Sequence, residues 1–185
     1  MKQSDQKALE EEARKAGAAD TRWINVASIP KGVWTRMKCQ FGCEQYGKCL
    51  CCPPYIPSLS DMERFLNEYT TGLLVKYTIS VTEEKCRNWK SVDRKINNDL
   101  LRLVVRIERA AMMKNYYKAF ALKAGRCALC EVCNLKHCVH PDLARPSMEA
   151  CGIDVFALAK ENGFDTRMYT GAVKEISVYG LVLLE

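Results

Sequence analysis

The sequence predicts an α/β or α+β fold: one domain over residues 1–185, a small mixed sheet packed by a long helix, and two cysteine-rich loops at 39–57 and 127–146. Three observations carry this. Short β-rich apolar runs alternate with stretches of helical period. One of those stretches, residues 91–114, is long enough to cross a whole sheet. Nine of the eleven cysteines fall in the two loops instead of being scattered along the chain.

Residues 5–18 are rich in Glu, Lys and Ala, with Leu9 and Ala13 at helical spacing and a stop near Gly17, so they read as a helix with a largely solvated face. Trp23, Ile24, Val26 and Ile29 predict a short strand over 23–29, ended by Pro30 and Gly32. Ser60 and Glu63 form a capping box ahead of an apolar stripe of Met62, Phe65, Leu66 and Tyr69, which predicts a helix ending before Gly72. Residues 73–81 read as a buried strand. The long helix over 91–114 carries Val92, Ile96, Leu100, Leu103, Val104, Ile107 and Ala111 at three- and four-residue steps, with Arg94, Lys95, Asp99, Arg102 and Arg109 on its other faces. Residues 116–122 fit either a strand leading to Gly125 or a continued helix stopped there. Pro146 and Gly152 bracket a short helix that would hold Cys151 near the second loop. Asp154 is the expected N-cap of a helix over 155–160, with Gly163 just past its end. Residues 176–184 are β-rich and apolar, which places them inside the sheet.

With 48% apolar and 9% aromatic residues, the chain has material for one packed core. Eleven cysteines is an odd number, so any internal disulfide scheme leaves a thiol over. The opening Met1-Lys2-Gln3-Ser4-Asp5-Gln6 has no apolar signal core, and no run reaches the ~18–20 apolar residues that span a bilayer. A cytoplasmic, reducing location with no membrane partner is expected, where grouped cysteines hold metals or do redox chemistry. The net charge of +6 would fall to roughly +2 if eight thiolates bound two four-iron cores, so it is not read as a nucleic-acid footprint.

The strongest chemical signal is Cys127-x2-Cys130-x2-Cys133 followed by Cys138. Thiols three apart on one loop turn inward around a four-iron cubane, whereas tetrahedral zinc more usually takes two Cys-x2-Cys pairs from separate hairpins. The run is similar to that of bacterial ferredoxins, with one extra residue before Cys138 and with Val139 and His140 ahead of Pro141. The second constellation is Cys39, Cys43, Cys49, Cys51 and Cys52, followed by Pro53, Pro54 and Pro57. Cys39-x3-Cys43 opens like a radical S-adenosylmethionine motif, but Tyr46 stands where the third thiol is required, so that reading is rejected. The expected ligands are Cys39, Cys43, Cys49 and Cys52 in the first loop and Cys127, Cys130, Cys133 and Cys138 in the second, holding one or two [4Fe-4S] clusters, with zinc as the alternative. Cys51 and Cys52 are adjacent, so one of them is free to point away. Cys151 is either a ligand or an inert buried thiol. Cys86, among charges, reads as a free thiol. His137 and His140 read as neighbours of the ligands. Lys48, Arg126, Lys136 and Arg145 either balance cluster charge or form a solvated face, and Tyr46, Tyr55, Tyr116 and Tyr117 read as packing residues. No Walker loop, dinucleotide fingerprint, His-Glu-x-x-His or Gly-x-Ser-x-Gly is present.

Cys39-x3-Cys43-x2-Tyr46-Gly47-Lys48, Cys52-Pro53-Pro54, Gly125-Arg126-Cys127-x2-Cys130, His140-Pro141 and the run from Arg145 through Cys151 to Asp154 together resemble the cysteine-rich predicted metal-binding protein family of anaerobic bacteria and archaea. The resemblance implies metal binding and iron–sulfur content, and no particular reaction. It also implies that Cys39, Cys43, Cys52, Cys127, Cys130, Cys133 and Cys138 recur, with Cys49 and Cys51 as extras. Three functions stay in view: an electron-transfer protein with a redox partner; an enzyme whose N-terminal cluster has three thiol ligands and an open iron, with Lys48, Tyr55 or Arg145 orienting substrate; and a zinc-stabilised binding module.

Overall fold

The computed structural model describes residues 1–82, 87–166 and 175–185. Its centre is a four-stranded sheet in the order β1-β2-β4-β3, made by β1 (Asp20–Asn25), β2 (Thr71–Ser80), β3 (Phe120–Lys123) and β4 (Glu175–Leu184). All three pairings are antiparallel, so the class is α+β and the expected mixed sheet is corrected. The chain reverses between each pair of neighbouring strands, and only a same-sense return would have made a parallel pair. β4 is internal, in keeping with the buried run from Tyr179 to Leu184.

Alternation along the strands sorts side chains onto two faces. Leu73 and Val75 of β2, Ala121 of β3 and Val182 and Leu184 of β4 pack with α1 (Gln3–Lys15) and α4 (Trp89–Met112). α4 contributes Leu100, Leu103, Val104, Ile107 and Ala111, the stripe read from the sequence. It lies close on β4 because Gly180 has no side chain: a Cβ there would stand 2.3 Å from Val104 Cγ1. Leu74, Leu122, Leu181 and Leu183 face the other way, against Met62 and Leu66 of α3 (Leu59–Leu66), Val155 and Leu158 of α5 (Val155–Glu161), and Met148, Cys151 and Ile153.

Several boundaries move for identifiable reasons. The strand expected over 23–29 stops at Asn25, whose side chain accepts from Ala27 N–H and starts a 3-10 turn over Val26–Ser28. α3 is capped by Ser58, whose Oγ accepts from Asp61 N–H at 3.2 Å, not by Ser60, and it ends at Leu66, before Tyr69. Residues 116–122 resolve in favour of a strand, shorter than expected, with Gly125 at φ +73° just beyond. Asp154 caps α5, accepting from Ala157 N–H at 3.0 Å. Pro146 to Gly152 form a tight turn, closed by Cys151 N–H on the Ser147 carbonyl, and no helix. The sequence reading missed α2 (Val33–Gly42), which carries Cys39. Its apolar residues Val33, Trp34, Met37 and Phe41 are half or more exposed, so no buried stripe marks it.

Candidate metal centre

The second cysteine loop lies along α4, which holds it by a series of side chains. From the helix, Asn98 Nδ2 donates to the Ala128 carbonyl at 3.2 Å and Arg94 to the Leu129 carbonyl at 3.4 Å. Asp93 accepts from Arg126 Nη2 at 2.8 Å and from Nε at 3.2 Å. Towards the other end of the helix Arg109 donates to the Asp142 carbonyl at 3.0 Å, and Glu108 forms a buried ion pair with Arg145, whose Nε donates to Oε2 at 2.8 Å. Asp93, Arg94, Asn98, Glu108 and Arg109 of α4 thus act as rungs for residues 126–145, while Leu100, Leu103, Val104 and Ile107 of the same helix pack the sheet.

The first loop is attached differently. Arg36 of α2 donates to the Ala150 carbonyl at 2.6 Å, and Gly32 N–H to the Gly152 carbonyl at 2.8 Å, fixing the helix that ends in Cys39 and Cys43. Beyond it, Gly47 at φ +70° donates to the Pro53 carbonyl at 3.1 Å and Cys52 N–H to the Cys49 carbonyl at 3.0 Å, folding the loop on itself. Ser147 N–H reaches the Cys51 carbonyl at 3.3 Å, which ties this loop to the end of β3.

The two loops meet, and their thiols sort into two groups. The sulfurs of Cys49, Cys51 and Cys127 all lie within 4.8 Å of one another, the single such set of three potential ligands among the described residues. Cys130, Cys133 and Cys138 border the same hollow together with His140. The Leu50 N–H donates to the Cys133 sulfur, so the backbone of one loop serves a thiol of the other. Cys39, Cys43 and Cys52 form the second group at the edge of a cleft of about 470 Å³, which Trp34, Trp89, Phe156, Arg126 and Glu149 also line. The groups adjoin, because the Cys49 thiol interacts with that of Cys52 as well as with those of Cys51 and Cys127. Cys51 and Cys52, adjacent in the chain, therefore serve different groups, and neither points away.

Sulfurs this close cannot all ionise unaided. Hydrogen bonds from Cys127, Cys51 and Cys52 stabilise a Cys49 thiolate, while Cys51 is pushed up by sharing protons with Cys127 and Cys49, and Cys52 by sharing with Cys49 and by burial. Burial, then Glu149 and Cys43, raise Cys39 against the pull of Arg36. A metal removes this conflict by replacing the shared protons with one cation. Tetrahedral Zn–S bonds of ~2.3 Å put sulfurs about 3.8 Å apart, so a trio within 4.8 Å fits metal ligation with small adjustment. An all-thiol donor set selects zinc, copper(I) or iron–sulfur chemistry over magnesium or calcium.

All eight expected ligands lie at the two groups, with Cys49 moved from the first loop's own set to that of Cys127. Cys51, left undecided by spacing, is one of the close trio. Cys151 is a core thiol, 3% exposed, pushed up to about 12 by burial, and it borders a separate hollow with Leu59 and Gly152 instead of the second loop. Cys86 lies outside the described residues. His140 borders the enclosed hollow and His137 is exposed. Arg126 and Arg145 are engaged in ion pairs, while Lys48 and Lys136 are solvated. Neither Lys48, Tyr55 nor Arg145 lines the cleft, which corrects the residues expected to orient a substrate there. Tyr117, 73% exposed, is not a packing residue. The sequence reading missed Lys123, fully buried behind Cys127, because lysine at a strand end reads as a solvated residue.

A model of the family described as "Predicted metal-binding protein (DUF2284)" matches residues 22–184, which include every cysteine. No curated protein and no solved structure matches the chain. The chain belongs to that metal-binding family.

Proposed function

We propose that this member of the predicted metal-binding family is an iron–sulfur redox protein that exchanges electrons with a partner protein in the reducing cytoplasm of a cell that avoids oxygen. The observation that carries the reading is the meeting of nine thiols from two distant loops in two adjoining groups. Six thiols in the enclosed group exceed the four that one structural zinc takes. The residues that would hold a [4Fe-4S] cluster are drawn from Cys49, Cys51, Cys127, Cys130, Cys133 and Cys138, and Cys39, Cys43 and Cys52 would hold a second. Such a cluster supplies one-electron chemistry when bound. The chain's own contribution is to bury Cys49 and Cys51, to donate the Leu50 N–H to Cys133, and to set the loop geometry from α4.

The cleft favours a second reading, an enzyme. Three thiols on a cleft of about 470 Å³ match a centre with one position free for substrate, in the size range of small-molecule sites. Trp34, Trp89 and Phe156 would supply its apolar walls.

Iron, acid-labile sulfide and zinc per chain, measured with the visible spectrum on protein purified without oxygen, test both readings. About eight iron with equal sulfide supports two clusters, and about four supports one. Zinc without sulfide overturns both and leaves a zinc-stabilised binding module.

A further inference from the structure

Lys123 is 0% exposed. Its Nζ lies 2.8 Å from Asn97 Oδ1, 2.7 Å from the Ala124 carbonyl, 3.0 Å from that of Gly125 and 2.8 Å from that of Arg126. All four partners are neutral oxygens. An ammonium has three protons and no lone pair, so it satisfies such a shell by donating to all four, one bond being shared. A neutral amine would direct its lone pair at one of these oxygens. The shell therefore describes a protonated lysine, although burial draws its pKa down to about 8, with Glu149, Cys127, Cys52 and Cys51 pulling the other way.

A buried charge needs an anion, and its absence is strongly disfavoured. The neighbouring cations have theirs: Arg126 has Asp93 and Arg145 has Glu108. Among the described residues Lys123 makes no ion pair. Glu149 is beyond ion-pair distance and directs both carboxylate oxygens at the Gly125 N–H, each at 3.2 Å. Glu149 still acts on the lysine from that distance, and the other groups whose negative charge reaches it are the thiols of Cys127, Cys52 and Cys51.

We infer that the counter-ion of Lys123 is the metal–thiolate centre itself, and that the lysine is a fixed positive charge that holds the centre's metal and favours its more negative oxidation level. Lys123 also places Cys127, because three of its bonds go to the carbonyls leading into that thiol. It is a positioning residue. The inference rests on the reading that these thiols bind a metal, and it holds whether the metal is iron or zinc.

Lys123→Met and Lys123→Gln, both neutral, separate charge from anchoring, since Gln keeps a donor and Met has none. The two variants and the parent protein would be purified without oxygen, checked by far-UV circular dichroism and metal content, and compared by chelator competition and mediated redox titration. Both variants are expected to fold and to hold metal at least tenfold more weakly. For an iron–sulfur centre the ratio of reduced to oxidised form at a fixed potential also falls at least tenfold, a midpoint lower by about 59 mV for one electron. Parent-like affinity and potential in both variants would overturn the inference, as would recovery in Lys123→Gln alone, which would mark the residue as a loop anchor. Loss of folding in both would overturn it too, because a counter-ion is dispensable to the metal-free fold. A parent protein without any bound metal would refute the metal reading first, and that result is seen before any variant is made.

Discussion

Cys127 and Cys43 sit in the same metal-binding region and could hardly be surrounded more differently. Cys127 is approached by Cys49 and Cys51, has Lys123 behind it, and stands on a loop hydrogen-bonded to α4 at Asp93, Arg94 and Asn98. Cys43 is exposed at the end of a helix whose apolar side chains face solvent, beside a cleft. The difference teaches that one residue type has been placed in two roles: a group built around two buried thiols and held from α4, and a group on an open cleft whose remaining contacts come from whatever enters it.

The sharpest way to break this contrast is to remove one thiol from each side. Cys127→Ser is expected to abolish metal at the enclosed group and to lower the thermal midpoint of the loaded protein by about 10 °C, the equivalent of roughly 3 kcal/mol for a chain of this size. Cys43→Ser should leave that group loaded and shift the midpoint by less than about 2 °C. Metal analysis and thermal unfolding measure both, and equal losses would show that the groups are one cooperative site.

Chelator challenge sharpens the same contrast kinetically. Metal should leave in two phases, the faster from Cys39, Cys43 and Cys52, with rates at least about tenfold apart, since the buried Cys49 and Cys51 must be uncovered before they can be attacked. Single-phase release, followed by absorbance, would count against two environments. Arg126→Ala has a smaller effect. It removes the pair with Asp93, whose side chains are 26% and 30% exposed, and should cost about 1 kcal/mol in denaturant unfolding while accelerating only the slow phase of release.

The mildest probe uses Cys151, the thiol among the described residues that belongs to neither group. In metal-free protein at pH 8, iodoacetamide should modify exposed Cys43 well before Cys151, as read by peptide mass spectrometry. Burial lifts the folded pKa of Cys151 from 9.0 to about 12, so the folded thiol keeps its proton where the unfolded one loses it. Its contribution to stability is full below about pH 9 and is lost as pH rises towards 12. Cys151→Ala should flatten that part of the stability profile.

What could be read from the sequence follows from what locality reveals. The stripe from Val92 to Ala111 and the apolar run of β4 state their burial in their own residues, and both elements were legible. The spacing of Cys127, Cys130 and Cys133 likewise marked a metal loop. Spacing could not show that Cys49 and Cys51 leave Cys52 to join Cys127, because that choice is made by Ser147 and Leu50 across the fold. Nor could α2 be seen, since Val33, Trp34, Met37 and Phe41 bury too little to mark a face. Lys123 was hidden for the opposite reason: its surroundings are four oxygens that only the folded chain assembles.

The internal position of β4 also sets a timetable for biosynthesis. The ribosome delivers β1, β2, α4, β3 and every cysteine before residues 175–184, yet β2 and β3 have no partner between them until those ten residues emerge. The platform under α4, and with it the rungs that shape the second cysteine loop, is thus completed last. The loop that presents the enclosed thiols therefore takes its final shape only once β4 has joined the sheet.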